Sequence, residues 1–295
     1  MDHPRNSVLI AVTIAPTIEV LMAGQIEWLI DQGFNVSTCS SGTPVFPRQL
    51  AREFYHHYEI EMTRTFSPIR DLKNFFQWLK VMKVVRPDVL VASTPKAALV
   101  SLVAGFLFRV PNRIYLLRGL RLETMRGWRR SILWCCERIC SLAAHRVIAV
   151  SPSVGSEFIS LGLAGADKVS FIGSGSSNGV DSAKFHPLNS DDRLQRRREL
   201  GFSDDDVVVA FIGRLVTDKG WGIYCRVIEQ AQQRYPHVKA LAMGSNEEDL
   251  AVPAGIEYFG VQKNLENWYQ IIDVLILPTY REGFPNVPLE AAACE

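Results

Sequence analysis

The segment Asp273-Val-Leu-Ile-Leu-Pro-Thr-Tyr-Arg-Glu282-Gly-Phe-Pro-Asn286-Val-Pro-Leu-Glu290-Ala-Ala-Ala places a short apolar run, a Gly-Phe-Pro turn and the start of a helix in succession. Two carboxylates eight positions apart flank the turn, Glu282 in the loop and Glu290 about one turn inside the helix. Between them, over 283–286, lie the backbone N–H groups of Gly283, Phe284 and Asn286, which at a helix start have no intrahelical acceptor. Carboxylates accept hydrogen bonds from sugar and ribose hydroxyls, while a helix N-terminus faces diphosphate oxygens, so this corner suits a nucleotide sugar. Two surface glutamates beside a turn are the plainer alternative, and the unusual composition of the block weighs against it.

Upstream, apolar runs of four to eight residues alternate with segments of helical periodicity, the pattern of parallel strands joined by crossover helices. Strands are expected at 8–14, 34–39, 89–92, 113–117, 146–150 and 169–172, then at 207–212, 239–243, 256–259 and 274–277. Ser67, Pro68 and Asp71 form a capped helix start, and Arg86-Pro87 stops that helix near Val85. After Gly173 the texture becomes a Gly/Ser/Asn loop. The chain therefore divides into an N-terminal α/β domain over 1–186 and a C-terminal one over 187–295. Two doubly wound units in tandem are expected to place a cleft between the carboxyl ends of their strands.

A second candidate site follows the strand at 207–212, in Gly213-Arg214-Leu-Val-Thr-Asp218-Lys219-Gly220. Glycine permits a sharp turn there, and Arg214 with Lys219 can converge on a phosphate pair and offset the charge of a leaving diphosphate. The loop 173–181 has glycines at the wrong spacing for a dinucleotide fingerprint and no evident helix after it.

Composition limits the alternatives. The chain has 295 residues, 47% hydrophobic and 21% charged, enough for two ordinary cores and too apolar for a disordered tail. The longest nearly unbroken apolar run, 97–108, falls short of the roughly 20 residues a spanning helix needs. Cys39, Cys135, Cys136, Cys140, Cys225 and Cys294 are scattered, which fits a reducing cytosol better than a disulfide framework. The cluster at 135–140 lacks a second ligand pair and reads as buried small hydrophobes, so no metal site is assigned.

The net charge of +1 hides an asymmetry: 20 Lys and Arg against 13 Asp and Glu through residue 170, then 12 against 18. Nine arginines lie between Arg109 and Arg146, interleaved with Trp128, Ile132, Leu133 and Trp134. That basic and aromatic stretch suits anionic lipid headgroups, with a solvated helix face as the alternative. No nucleic-acid-binding motif accompanies it, so nucleic acid is not expected as a partner.

These residues resemble the retaining glycosyltransferases of family 4, whose GT-B architecture sets two Rossmann-like domains face to face. Glu282 to Glu290 looks like that family's E-x7-E motif, and 213–220 looks like its diphosphate-binding segment. Thr94-Pro95-Lys96, Leu117-Arg118-Gly119, Val150-Ser151-Pro152-Ser153 and 175–181 are similar to a subgroup that makes capsule, O-antigen or exopolysaccharide repeat units. The resemblance implies that Arg214 and Lys219 hold the donor diphosphate, Glu290 the ribose and Glu282 the transferred sugar. Gly283 and Phe284 would offer amides to that sugar, Gly213 and Asn286 complete the donor side, and Lys96, Arg118 and Gly119 stand on the acceptor side. It further implies a UDP-sugar donor, no cofactor or metal, retention assisted by the donor phosphate, and a polyprenyl-diphosphate-linked glycan as acceptor at the inner face of the cytoplasmic membrane.

Two departures accompany the resemblance. Ser93 stands where many relatives have His before Thr-Pro-Lys, so no catalytic histidine is assigned. The family continues past the E-x7-E helix with Gly-x-Pro, a strand and a returning helix, so the second domain is expected to be incomplete. A UDP-sugar epimerase or hydrolase of the same fold, and an inactive sugar-nucleotide-binding remnant, are the competing functional readings.

Overall fold

The computed structural model describes residues 6–22, 24–45, 52–62, 68–176 and 178–294. They form two compact units divided between Asn178 and Gly179. The division falls ahead of the expected 186/187 boundary because Val180 and Phe185 already pack into the C-terminal core.

The first unit runs β1 (Ser7–Ile14), α1 (Ala15–Leu21), α2 (Gln25–Asp31), β2 (Asn35–Ser41), β3 (Tyr55–Glu59), α3 (Pro68–Val85) and β4 (Val89–Ser93). It continues with α4 (Pro95–Leu107), β5 (Asn112–Leu117), α5 (Gly127–Ala143), β6 (Arg146–Ala149), α6 (Pro152–Ser160) and β7 (Val169–Ser170). The strands form one parallel sheet in the order β3-β2-β1-β4-β5-β6-β7. Strand β1 is central, with Val8 opposite Val36 on one side and Val89 on the other, and it is buried from Val8 to Thr13 as a strand covered on both faces must be. Helices α1 and α2 cover one face through Ile18, Met22, Ile26 and Ile30. Helices α3 to α6 cover the other through Trp78, Met82, Leu102, Cys140 and Phe158.

The second unit runs α7 (Ser190–Glu199), β8 (Val207–Ile212), α8 (Trp221–Arg234), β9 (Val238–Met243), β10 (Ile256–Tyr258), α9 (Leu265–Tyr269), β11 (Val274–Leu275) and α10 (Asn286–Ala292). Its parallel sheet has the order β10-β9-β8-β11. Alternate residues of β8 feed two cores. Val208, Ala210 and Ile212 join Tyr269 and Ile271, while Val209 and Phe211 meet Trp221 and Tyr224. Asp273 ties α7 to this sheet, accepting from Arg193 at 2.6 Å, from Arg197 at 2.9 Å and from the Val208 amide at 2.7 Å.

Strand order reverses between β1 and β4 in the first unit and between β8 and β11 in the second. In open parallel sheets the crevice at such a reversal, beyond the carboxyl ends of the strands, is where ligands bind.

Several expectations are corrected. Strand β3, Tyr-His-His-Tyr-Glu, carries no apolar run and was not expected; it is an edge strand whose Tyr55 and His57 bond to Thr38 Oγ1 of β2. Strand β7 stops at Ser170, where Phe171 and Ile172 turn out to solvent, and β11 stops at Leu275. Helix α3 ends at Val85 as expected, with Arg86 at φ +46° ahead of Pro87, whereas Ser67 lies outside the described residues. Among the clustered cysteines of α5 only Cys140 is buried; Cys136 is half-buried and Cys135 exposed.

Candidate functional site

The loops that follow β8 and β11 bring the two sequence blocks of the second unit together. After β8 the chain turns at Gly213, passes through a short 3-10 turn at Thr217–Lys219, and enters α8 through Gly220. Gly220 sits at φ +77°, and a Cβ there would lie 2.0 Å from the carbonyl oxygen of Pro278, so only glycine lets the two loops approach this closely. Thr279 Oγ1 and the Tyr280 amide both donate to the Asp218 carbonyl, at 3.3 and 3.0 Å, and Arg281 donates to the Asp218 carboxylate at 2.8 Å. These contacts rivet one loop to the other.

Across that seam Lys219 Nζ donates to Glu282 Oε1, both side chains being largely buried. The cation expected at a phosphate and the carboxylate expected at a sugar are thus ion-paired. Arg214 is exposed and donates to Glu247 Oε2 at 2.7 Å, in the loop after β9. Next to it Glu248 accepts from the amide and hydroxyl of Thr217 at 2.9 and 2.8 Å. Lys219 and Arg214 therefore address different carboxylates rather than one point.

Helix α10 begins at Asn286, after Pro285 in extended conformation. Gly283, Phe284 and Asn286 are half-buried in that approach, and Asn286 Oδ1 is enclosed without a hydrogen-bond partner. Glu290, one turn into α10, accepts from the Tyr269 hydroxyl at 2.8 Å. Tyr269 is buried edge-on against Phe185, and burial first, then the neighbouring Glu290, pushes its phenol well above the ordinary range.

In the first unit the reversal between β1 and β4 gathers a second set of polar groups. Thr94, between β4 and α4, takes φ +70°, an uncommon conformation for a β-branched residue. Its hydroxyl accepts from the Thr13 amide at 3.0 Å and pairs with the Thr13 hydroxyl at 2.7 Å. Arg118, at the end of β5, donates through Nε to Ser93 Oγ at 3.0 Å and through NH2 to the Leu21 carbonyl at 3.2 Å. Burial lowers its guanidinium pKa to about 10. Ser93 thus serves as an acceptor for Arg118. Lys96 lies half-buried in the first turn of α4, and Gly119 follows Arg118 with φ +154°.

Sequence reasoning missed Glu247, Glu248, Tyr269, Thr13 and Arg281. The acidic pair follows a glycine at the end of a strand, in Gly244-Ser-Asn-Glu-Glu, which is a readable cue. Tyr269 carries no such mark.

Two parallel-sheet α/β units in tandem, each with polar groups collected at its strand reversal, define a GT-B-like protein. Residues 17–175 match the family described as "Glycosyl transferase 4-like domain" and residues 206–295 match "Glycosyl transferases group 1". The chain is 32% identical to the capsular polysaccharide biosynthesis glycosyltransferase CapM of Staphylococcus aureus, over 96% of this chain and 76% of that protein. It is 25% identical to the N,N'-diacetylbacillosaminyl-diphospho-undecaprenol alpha-1,3-N-acetylgalactosaminyltransferase of Campylobacter jejuni, over 77% of this chain and 62% of that one. Among solved structures, Anabaena Alr3699/HepE in complex with UDP and glucose superimposes with a TM-score of 0.74 at 18% identity, covering 98% of this chain and 78% of that one. The chain belongs to the group 1, family 4-like glycosyltransferases.

Proposed function

We propose that the chain transfers a hexose or N-acetylhexosamine from a UDP-sugar, with retention, to a polyprenyl-diphosphate-linked glycan in cell-surface polysaccharide synthesis. The pairing of Lys219 with Glu282 at the strand reversal of the second unit carries this reading. Each group supplies the other's counter-charge. A bound diphosphate replaces Glu282 as the anion beside Lys219, and the released carboxylate accepts from sugar hydroxyls. Arg214 leaves Glu247 to complete the phosphate clamp, and Glu290, already oriented by Tyr269, accepts from the ribose. Gly213, Gly283, Phe284 and Asn286 shape the rest of the donor pocket.

In the reaction the bond between the anomeric carbon and the diphosphate oxygen breaks, and UDP leaves with the bonding electrons. The acceptor hydroxyl adds to the same face of the anomeric carbon and gives its proton to the departing diphosphate. Arg214 and Lys219 lower the barrier by meeting the charge that grows on that leaving group. The acceptor side is assigned to Lys96, Arg118 and Gly119 in the first unit. The relatives support the substrate class by name, one acting in capsule synthesis and one on an undecaprenyl-diphosphate-linked acceptor. Such an acceptor is anchored by its lipid, so the enzyme works peripherally on the inner face of the cytoplasmic membrane. UDP release from UDP-hexoses and UDP-N-acetylhexosamines, with and without membrane lipid extract, tests the proposal; Glu282→Ala and Arg214→Ala should abolish acceptor-dependent release, and full activity in both refutes it.

A further inference from the structure

Helix α5 has a solvent-facing stripe that the first unit's core does not use. Trp128, Ile132, Cys135, Ile139 and Leu142 recur at alternating spacings of four and three and lie on one face of the helix. Trp128 is 69% exposed, Leu142 59%, Ile132 45% and Ile139 44%. At the rise of an α-helix the stripe is about 21 Å long. Leu133 and Trp134, which composition alone groups with it, are turned the other way: both pack on the core, and Trp134 Nε1 donates to the Leu161 carbonyl at 2.8 Å. Arg113 and Arg138 are likewise spent on backbone carbonyls, of Ala143 and Val110 and of Leu163 respectively.

The surface extends beyond α5. Helices α3, α4 and α5 lie side by side on one face of the sheet, so their outer faces form one layer. Helix α4 contributes exposed Phe106 and Leu107, and no charged residue between Lys96 and Arg109. Helix α3 contributes exposed Leu72, Phe76 and Val84 together with exposed Lys73, Lys80 and Lys83. Around α5 the exposed cations are Arg126, Arg129 and Arg130, with the Arg129 guanidinium 5.5 Å from the Trp128 ring centroid. From Thr124 to Arg146 the sole carboxylate is Glu137, and it is buried.

From this layer we infer an anionic lipid bilayer as its partner: the outer faces of α3, α4 and α5 lie on the membrane, with the α5 stripe entering the headgroup boundary. The charge pattern selects this occupant. A second copy of the chain seated on the stripe would bring Arg126, Arg129 and Arg130 of both copies to one interface with no exposed acid on α5 to offset them. An anionic surface satisfies those cations and accepts Trp128, whose amphipathic ring suits the interface. The inference rests on the lipid-linked acceptor of the proposed function and adds which surface meets the lipid.

Co-sedimentation with vesicles tests it separately from catalysis. The full chain should pellet with phosphatidylglycerol vesicles, stay in solution with phosphatidylcholine alone, and be released by about 1 M salt, where the screening length drops to about 3 Å. The double variant Trp128→Ser/Ile132→Ser, at exposed positions remote from the core, should weaken partitioning about tenfold or more. Its UDP release with a water-soluble acceptor should match that of the parent chain. Arg126→Glu/Arg129→Glu should do the same through charge. Failure of the parent chain to pellet, equal pelleting of the variants, or a dimer that the same substitutions dissociate would overturn the inference. Vesicle binding without sugar transfer would instead refute the proposed function and leave this surface standing.

Discussion

Replacing Glu137 by Gln should stabilise the protein, by an amount that grows with pH. Glu137 projects from the inner face of α5, 3% exposed, and accepts from the Tyr115 hydroxyl at 2.7 Å. Burial raises its carboxyl pKa from 4.5 to about 7, against the opposite pull of the Tyr115 hydrogen bond. Between those two values the native state keeps a proton that the unfolded chain releases. Relative to an ordinary glutamate, the stability is therefore fully present below about pH 4.5 and is lost as pH rises through about 7. A difference of about 2.5 pKa units corresponds to about 3 kcal/mol above pH 8, and to about 1 kcal/mol at pH 5. Glutamine cannot ionise and can keep an acceptor in front of Tyr115. In urea unfolding, the gap between Glu137→Gln and the parent chain should widen by about 2 kcal/mol from pH 5 to pH 8. An equal gap at both pH values would show that Glu137 titrates as a solvated carboxylate and that α5 is packed more loosely than described.

Two further outcomes follow from the second unit. Tyr269→Phe keeps the ring against Phe185 and removes only the donation to Glu290; under the ribose role proposed for Glu290, KM for the nucleotide sugar should rise about tenfold, or about 1.4 kcal/mol, with kcat nearly unchanged, as measured by initial rates. Asp273 is raised by burial, but the Val208 amide and the guanidiniums of Arg193 and Arg197 outweigh that and hold its carboxyl below the ordinary range. Its contribution is therefore present above the unfolded value of 3.8 and lost as pH falls through the lower native one. Asp273→Asn should cost about 3 kcal/mol at neutral pH and flatten the acid limb of the unfolding curve.

The parallel α/β character was legible wherever a strand is buried on both faces, because β1, β4 and β8 must then be almost wholly apolar. It was illegible at the sheet edges. Strand β3 earns its place through Tyr55 and His57 on Thr38, and β7 and β11 have too few residues to show a period. On α5 both faces carry large apolar residues, so composition could not say that Trp134 turns inward and Trp128 outward. The site shows the same division. Glu282 and Glu290 stand in one contiguous block whose spacing encodes a loop and the helix after it. Glu247, Glu248 and Tyr269 belong to other segments and reach the site only because β9 and β11 flank β8 in the sheet.

Ion pairing accounts for how a cation and a carboxylate, Lys219 and Glu282, persist together in a partly buried seam. Each neutralises the other, while the exposed Arg214 is paired separately with Glu247. Gly220 holds the seam closed by admitting the Pro278 carbonyl where any side chain would collide. Under the proposed function, a bound diphosphate would exchange these ion pairs for new ones and so avoid the cost of desolvating isolated charges.

The central claim is sugar transfer from a nucleotide diphosphate through the Lys219–Glu282 seam. Its most direct test is UDP release from a panel of UDP-sugars, with and without a polyprenyl-diphosphate-linked glycan, by the parent chain, Glu282→Ala and Arg214→Ala. The account predicts release that requires the acceptor in the parent chain and is lost in both variants. Release that proceeds equally without acceptor, or that survives both substitutions, would contradict it.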